Sequence, residues 1–204
     1  MTLIYVMDPM CSWCYAFQPQ LKELLSRLKP GIKVLCYMGG LAPDSDEPMP
    51  KELQQGIQQT WHTIEERTGT PFNHEFWTLC HPRRSTYPAC RAVISAELLE
   101  SGAGMKMVEA IQQGYYQEAR NPSNLDTLIS FAEQTGLNRE EFVRQLQSQE
   151  TEDILMDDLS YCQQYNVTGF PFLALKSKGS IEPICIGYCD QPTLLARASS
   201  IDLI

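Results

Sequence analysis

The sequence predicts an α/β fold in which a strand-bearing core is split by a long helical insertion. Three observations predict it. Residues 1–40 read as strand, helix, strand; residues 51–165 show helical periodicity alone; and strand patterning returns after Gly169. On this reading residues 1–204 are one domain, with the core at 1–40 and 150–204 and an all-helical insertion at 41–149.

Each element follows from a local signal. Leu3 to Met7 is a short apolar run that Asp8-Pro9 ends. From Cys14 the apolar positions Phe17, Leu21, Leu24, Leu25 and Leu28 recur at helical spacing, and Pro30-Gly31 stops the helix. Ile32, Val34, Leu35 and Tyr37 form a second strand, closed by Gly39-Gly40. A βαβ unit of this kind implies a parallel pair with a right-handed crossover. Residues 41–50 carry Pro43, Pro48 and Pro50 and read as a loop. Helices then follow on Leu53/Ile57/Trp61/Ile64, after Pro88, on Met107/Val108/Ile111/Tyr115, on Leu125/Leu128/Ile129/Ala132, on Phe142/Val143/Leu146 and on Ile154/Leu155/Leu159/Cys162. The segment 70–84 is expected to be irregular. Asn138 and Glu141 are expected to cap the helix that follows them. Phe172 to Lys176 and Ile184 to Ile186 read as strands, joined through a turn at 177–180. Pro183 has no N–H for a ladder, which places the last strand at a sheet edge. Asp190 and Pro192 open a C-terminal helix.

Composition narrows the function. The chain is 43% hydrophobic and 20% charged, ordinary for a folded globular protein. Sixteen Lys+Arg against 25 Asp+Glu give a net charge of −9, which disfavours partners such as nucleic acid or an anionic membrane. No apolar run reaches the length of a membrane span. No signal peptide precedes Asp8-Pro9, so if Met1 is the start the expected localisation is cytoplasmic, with reduced thiols.

Cysteine carries the chemistry. Eight cysteines lie at 11, 14, 36, 80, 90, 162, 185 and 189. Cys11-Ser12-Trp13-Cys14 is a C-x-x-C. Random placement alone gives about 0.3 such pairs in a chain of this composition, so the motif by itself is weak. Its position strengthens it. The motif falls where the first strand gives way to the first helix, so Cys11 belongs at the helix N-terminus, where unpaired N–H groups favour thiolate. Cys14, one turn along, can attack a mixed disulfide made by Cys11. Farther on, Phe170-Pro171 sits just before a strand, and X-Pro is the one bond type that readily goes cis. A cis bond there would leave the Phe170 backbone open to an extended peptide.

These two elements in this order resemble the thioredoxin superfamily, and the long helical insertion resembles its DsbA-like branch. The string Asp8-Pro9-x-Cys11-x-Trp13-Cys14-Tyr15-Ala16-Phe17 is similar to cytoplasmic FrnE-like members and predicted protein-disulfide isomerases. The resemblance implies a thioredoxin-like core, with Cys11 as attacking thiol, Cys14 as resolving thiol and Pro171 as cis-proline. Pro19 matches the helix-kinking proline of thioredoxins. Ser12, Trp13, Phe170 and Pro171 would then position the substrate. Ser-Trp between the cysteines supplies no cationic His, and Asp8 stands nearby, so a less oxidising pair than that of DsbA is expected. Related kappa-type glutathione transferases usually carry Ser where this chain has Cys11.

Other residues receive plainer readings. Cys185 and Cys189 are either an auxiliary redox pair, which FrnE-like proteins can carry, or two small buried side chains. Cys36, Cys90 and Cys162 read as core. His62, His74 and His81 show no paired acid, and no metal site is expected. Arg83 and Arg84 read as a solvated pair. Met7, Met10, Met38 and Met49 suit either a peptide groove or the core, and Trp61, Trp77, Tyr115 and Tyr116 suit the core. The expected activity is thiol–disulfide exchange on protein or small-molecule thiols and disulfides. No cofactor is required, and glutathione is a possible redox partner. The alternatives are a glutathione-dependent kappa-type transferase or isomerase, and a non-catalytic adaptor on a thioredoxin scaffold.

Overall fold

The computed structural model describes residues 1–177 and 180–204. The centre of the turn expected at 177–180 therefore lies outside the described residues. The chain divides into two compact units, residues 1–39 with 158–204, and residues 40–157.

The first unit is built on a four-stranded mixed sheet. Its strands are β1 (Thr2–Met7), β2 (Lys33–Met38), β3 (Phe172–Ser177) and β4 (Ser180–Ile186), in the order β2-β1-β3-β4. β1 pairs parallel with β2 and antiparallel with β3, and β3 pairs antiparallel with β4. β1 is the buried centre: Leu3, Ile4, Val6 and Met7 are fully enclosed, as an apolar run paired on both sides requires. Ile4, Val6, Phe172, Ala174 and Cys162 pack as one cluster, with Tyr37 stacked on Tyr161 at its margin. Pro183 lies on edge strand β4, and the ladder slips beside it, between Leu173 and Ala174. An edge strand can accommodate a proline, so β4 runs longer than the sequence pattern suggests.

Two sequence expectations change here. The first helix is two helices, α1 (Ser12–Ala16) and α2 (Gln18–Arg27), separated at Phe17, and Pro19 sits in the first turn of α2. A proline is tolerated there because first-turn N–H groups need no intrahelical acceptor. Second, Cys36 is exposed rather than core, because β2 is the other sheet edge and Val34 and Leu35 beside it are exposed too. Met7, Met38 and Met49 are buried, which is the core reading of the two left open for them.

The second unit is helical: α3 (Lys51–Thr68), α4 (Phe76–Leu79), α5 (Tyr87–Leu99), α6 (Ala103–Tyr116), α7 (Leu125–Gln134) and α8 (Arg139–Leu146). α9 (Gln149–Gln164) carries the chain back toward the sheet, and α10 (Gln191–Ser200) closes the sequence. The short α4 lies inside the segment expected to be irregular; four residues are too few to show a period. Asn138 caps α8 by accepting from the Glu140 and Glu141 backbones at 2.9 and 3.1 Å. Trp61 is fully buried among Phe72, Phe76, Trp77, Tyr115 and Tyr116. Gly114 lets α6 approach Phe131 of α7: a Cβ there would lie 2.1 Å from the ring. Arg83 is half-buried and tied to its neighbours: it donates to the Ser123 carbonyl at 2.5 Å and to the Asn124 side chain at 2.9 Å.

Candidate active site

The C-terminal end of β1 sets the position of the two thiols. Asp8 and Pro9 follow the strand, and the Cys11 backbone N–H donates to the Asp8 carbonyl at 2.9 Å, closing a tight turn. The Asp8 carboxylate is fully buried and accepts from the Met10 N–H at 2.7 Å. Cys11 leaves that turn in extended conformation and becomes the N-cap of α1. Its Sγ accepts from the Cys14 backbone N–H at 3.3 Å. This places a sulfur where Ser, Thr or Asp usually caps a helix. α1 has only five residues, so the local N–H groups, rather than a long helix dipole, are what the sulfur meets.

The thiols differ in exposure. Cys11 is 7% exposed and Cys14 is fully buried. Burial pushes the Cys14 thiol well above its ordinary value and the neighbouring Cys11 pushes in the same direction, against a smaller pull downward from a hydrogen bond with the Asp8 backbone. Tyr5, on β1, is also held well above the ordinary phenol range, first by burial and then by Cys14.

The Phe170–Pro171 peptide is cis. The Phe170 carbonyl lies 3.9 Å from Cys11 Sγ and accepts from it. Gly39, just past β2, forms the floor under Phe170: a Cβ there would stand 2.2 Å from the ring. The Gly39 N–H is itself fixed to the Met7 carbonyl at 2.7 Å. Ser12 and Trp13 are half-buried on α1.

The C-terminal turn completes the surroundings. Gly187, at φ 75°, donates its N–H to the Pro171 carbonyl at 2.8 Å. Tyr188 then lies against Trp13 at 5.6 Å between ring centroids and edge-on to Phe17 at 6.3 Å. Gln20 on α2 bonds the Tyr188 hydroxyl at 3.0 Å. Sequence reasoning missed Tyr188 and Gly187; the glycine between two cysteines was the available signal. Cys185 is buried at the end of β4, with Sγ donating to the Gly187 carbonyl at 2.8 Å, while Cys189 is partly exposed. The interaction between the two cysteine side chains lowers Cys189 and raises Cys185. Cys80 is partly exposed, and all eight cysteines are thiols.

The histidines depart from expectation. His62 and His74 both face the Glu65 carboxylate, so a paired acid does exist. Glu65 and His62 share a helix face at i,i+3, but His74 arrives from the following loop, which periodicity does not show.

Comparison with known proteins agrees with this geometry. A thioredoxin family profile matches residues 4–182. A candidate protein disulfide isomerase from Nitrosomonas europaea superposes with a TM-score of 0.88 at 28% identity, covering 98% of this chain and 96% of that one. The cytosolic disulfide reductase DsbM from Pseudomonas aeruginosa, also solved with GSH, superposes at 0.79 with 24% identity and 98% of both chains covered. The ClpXP adapter protein SpxH of Bacillus subtilis is 26% identical over 167 residues, 81% of this chain and 55% of that protein. The chain thus spans about half the length of the curated relatives it matches. No helix among the described residues is long and apolar enough to cross a membrane. With the profile match, the sheet order and the superposed neighbours in accord, the chain belongs to the thioredoxin family and has the fold of its DsbA-like oxidoreductases.

Proposed function

We propose that this chain catalyses thiol–disulfide exchange through Cys11 and Cys14 on protein or small-molecule disulfides, in the cytoplasm. One observation carries the reading: the Cys14 N–H on Cys11 Sγ at 3.3 Å, with the Phe170 carbonyl 3.9 Å away. A donor on the sulfur supports the negative charge it carries in attack, and the adjacent backbone offers an extended peptide a place to lie.

In the reducing direction Cys11, as thiolate, attacks a substrate disulfide. One S–S bond breaks, a mixed disulfide forms, and the departing substrate sulfur takes a proton. Cys14 then loses its proton and attacks Cys11 Sγ. This releases the second substrate thiol and leaves a Cys11–Cys14 disulfide. Two molecules of reduced glutathione return that disulfide to dithiol and leave as oxidised glutathione. DsbM was solved with GSH, which supports glutathione as the redox partner here. Ser12, Trp13, Phe170 and Pro171 position the substrate chain, with Tyr188 beside Trp13. Cys185 and Cys189, on the strand end and turn that carry Tyr188, are the candidate auxiliary pair beside this site.

The test is mutational. Cys11→Ser abolishes turnover of a disulfide-linked fluorescent peptide, and Cys14→Ser accumulates the mixed disulfide, visible by mass. Turnover retained in Cys11→Ser would sink the assignment. Direction follows from equilibration in glutathione buffers: a midpoint near or below about −250 mV marks a reductase, and one at or above about −180 mV an oxidant or isomerase.

The similarity to SpxH favours a second reading, a scaffold that holds a partner protein without exchanging disulfides. It requires partner capture that is equal in wild type and in the Cys11→Ser/Cys14→Ser double variant.

A further inference from the structure

The strongest unassigned cluster lies in the helical unit. α3 ends at Gly69, whose left-handed backbone (φ 71°) reverses the chain. The segment after it returns along the last turns of α3. There the Phe72 N–H donates to Glu65 Oε1 at 3.1 Å, and His74 Nε2 comes within 3.0 Å of Glu65 Oε2. His62, one turn before Glu65, puts Nδ1 3.1 Å from the same Oε2. The three side chains offer ligand atoms that all lie within 4.8 Å of one another. The two imidazoles stack at 4.3 Å, and Trp61 braces His74 edge-on at 5.7 Å.

We propose that His62, Glu65 and His74 form a binding site for a divalent transition-metal ion of the zinc class. Two imidazole nitrogens and one carboxylate oxygen are a donor set that zinc takes readily. The outer shell is also in place. The Phe72 N–H holds Oε1, which His74 Nε2 also meets at 3.1 Å, and Oε2 faces both rings; a supporting hydrogen bond of this kind orients a ligating carboxylate. Zinc-to-ligand bonds of 2.0–2.2 Å put tetrahedral donors about 3.3 Å apart, so the two rings must draw in and splay from their stack. His62, with a side chain 54% exposed, is the ring that turns. Three protein ligands leave a fourth position for water or an outside ligand. Bound this way, the ion would clasp the segment after Gly69 to α3.

The test uses zinc alone. The chain has three histidines, His62, His74 and His81, so His81 serves as an internal control. In histidine-selective NMR of the reduced full chain, one equivalent of zinc is expected to move His62 Nδ1 and His74 Nε2 to metal-bound shifts while His81 stays. In calorimetry, His62→Ala and Glu65→Gln should each weaken zinc binding at least tenfold, and Cys11→Ser should not. Unmoved His62 and His74 at saturating zinc would overturn the proposal, whether or not the thiols take up metal. Equal affinity in His62→Ala would overturn it too; this exposed residue can be truncated without opening the core.

Discussion

At the residue scale, the site depends on a few positions whose neighbours lie far away in sequence. Gly39 is one. With Cβ only 2.2 Å from the Phe170 ring, Gly39→Ala must displace Phe170, and with it the backbone beside Cys11 Sγ. Misplacing a positioning group by about an ångström costs up to about a hundredfold in rate. Gly39→Ala should therefore lower kcat/KM on a peptide disulfide about 10- to 100-fold. Overall stability should change by no more than about 1–3 kcal/mol, because a ring partly open to solvent can swing aside. Steady-state kinetics beside a urea melt separates the two effects; unchanged kinetics would show that Phe170 does not position substrate. The C-x-x-C was legible because its meaning is local: two thiols three apart at a strand-to-helix junction. Cys36 was misread as core because an apolar strand pattern does not show which strands lie at the edge. His74 was missed because its approach to Glu65 depends on the chain reversal at Gly69.

At the element scale, capping and close helix approach decide stability more than propensity does. Asn138 serves two orphan N–H groups at the start of α8, and Phe142 and Leu146 bury the helix behind it. Asn138→Ala should cost about 1 kcal/mol, read as a lower urea midpoint at unchanged slope. The sequence foretold this helix and most of the others, because apolar periodicity over two or more turns has no competing explanation. Periodicity did not foretell the break at Phe17, which only the resemblance of Pro19 to a helix-kinking proline marked, or the single turn of α4. In both cases the deciding signal spans fewer residues than a helical period needs to show itself. The strands came from the same kind of evidence: short apolar runs, a βαβ opening and a proline that only an edge strand accommodates. The pairing order β2-β1-β3-β4 is a tertiary fact that no single strand announces.

At the scale of the whole molecule, buried acidic groups set the alkaline limit. Burial, and then the Asp158 charge, hold Cys162 up at about 11, against 9.0 for an ordinary thiol. Cys14 and Tyr5 are raised as well, chiefly by burial. The unfolded chain gives up the Cys162 proton near 9 while the folded chain keeps it to about 11. Between those values the unfolded state binds fewer protons, and stability falls as pH rises. The melting temperature should drop across that window, with a shallower slope in Cys162→Ala; equal slopes would remove Cys162 from the account. A feature at the other end of the chain has a different kind of consequence. The family profile ends at residue 182, yet Gly187 is bonded to Pro171 and Tyr188 lies on Trp13. On the proposed reading, two relatives can share the same thiols and the same proline and still present a different wall to whatever docks beside them. Exchanging residues 187 and 188 between such relatives should shift substrate preference while leaving every cysteine in place.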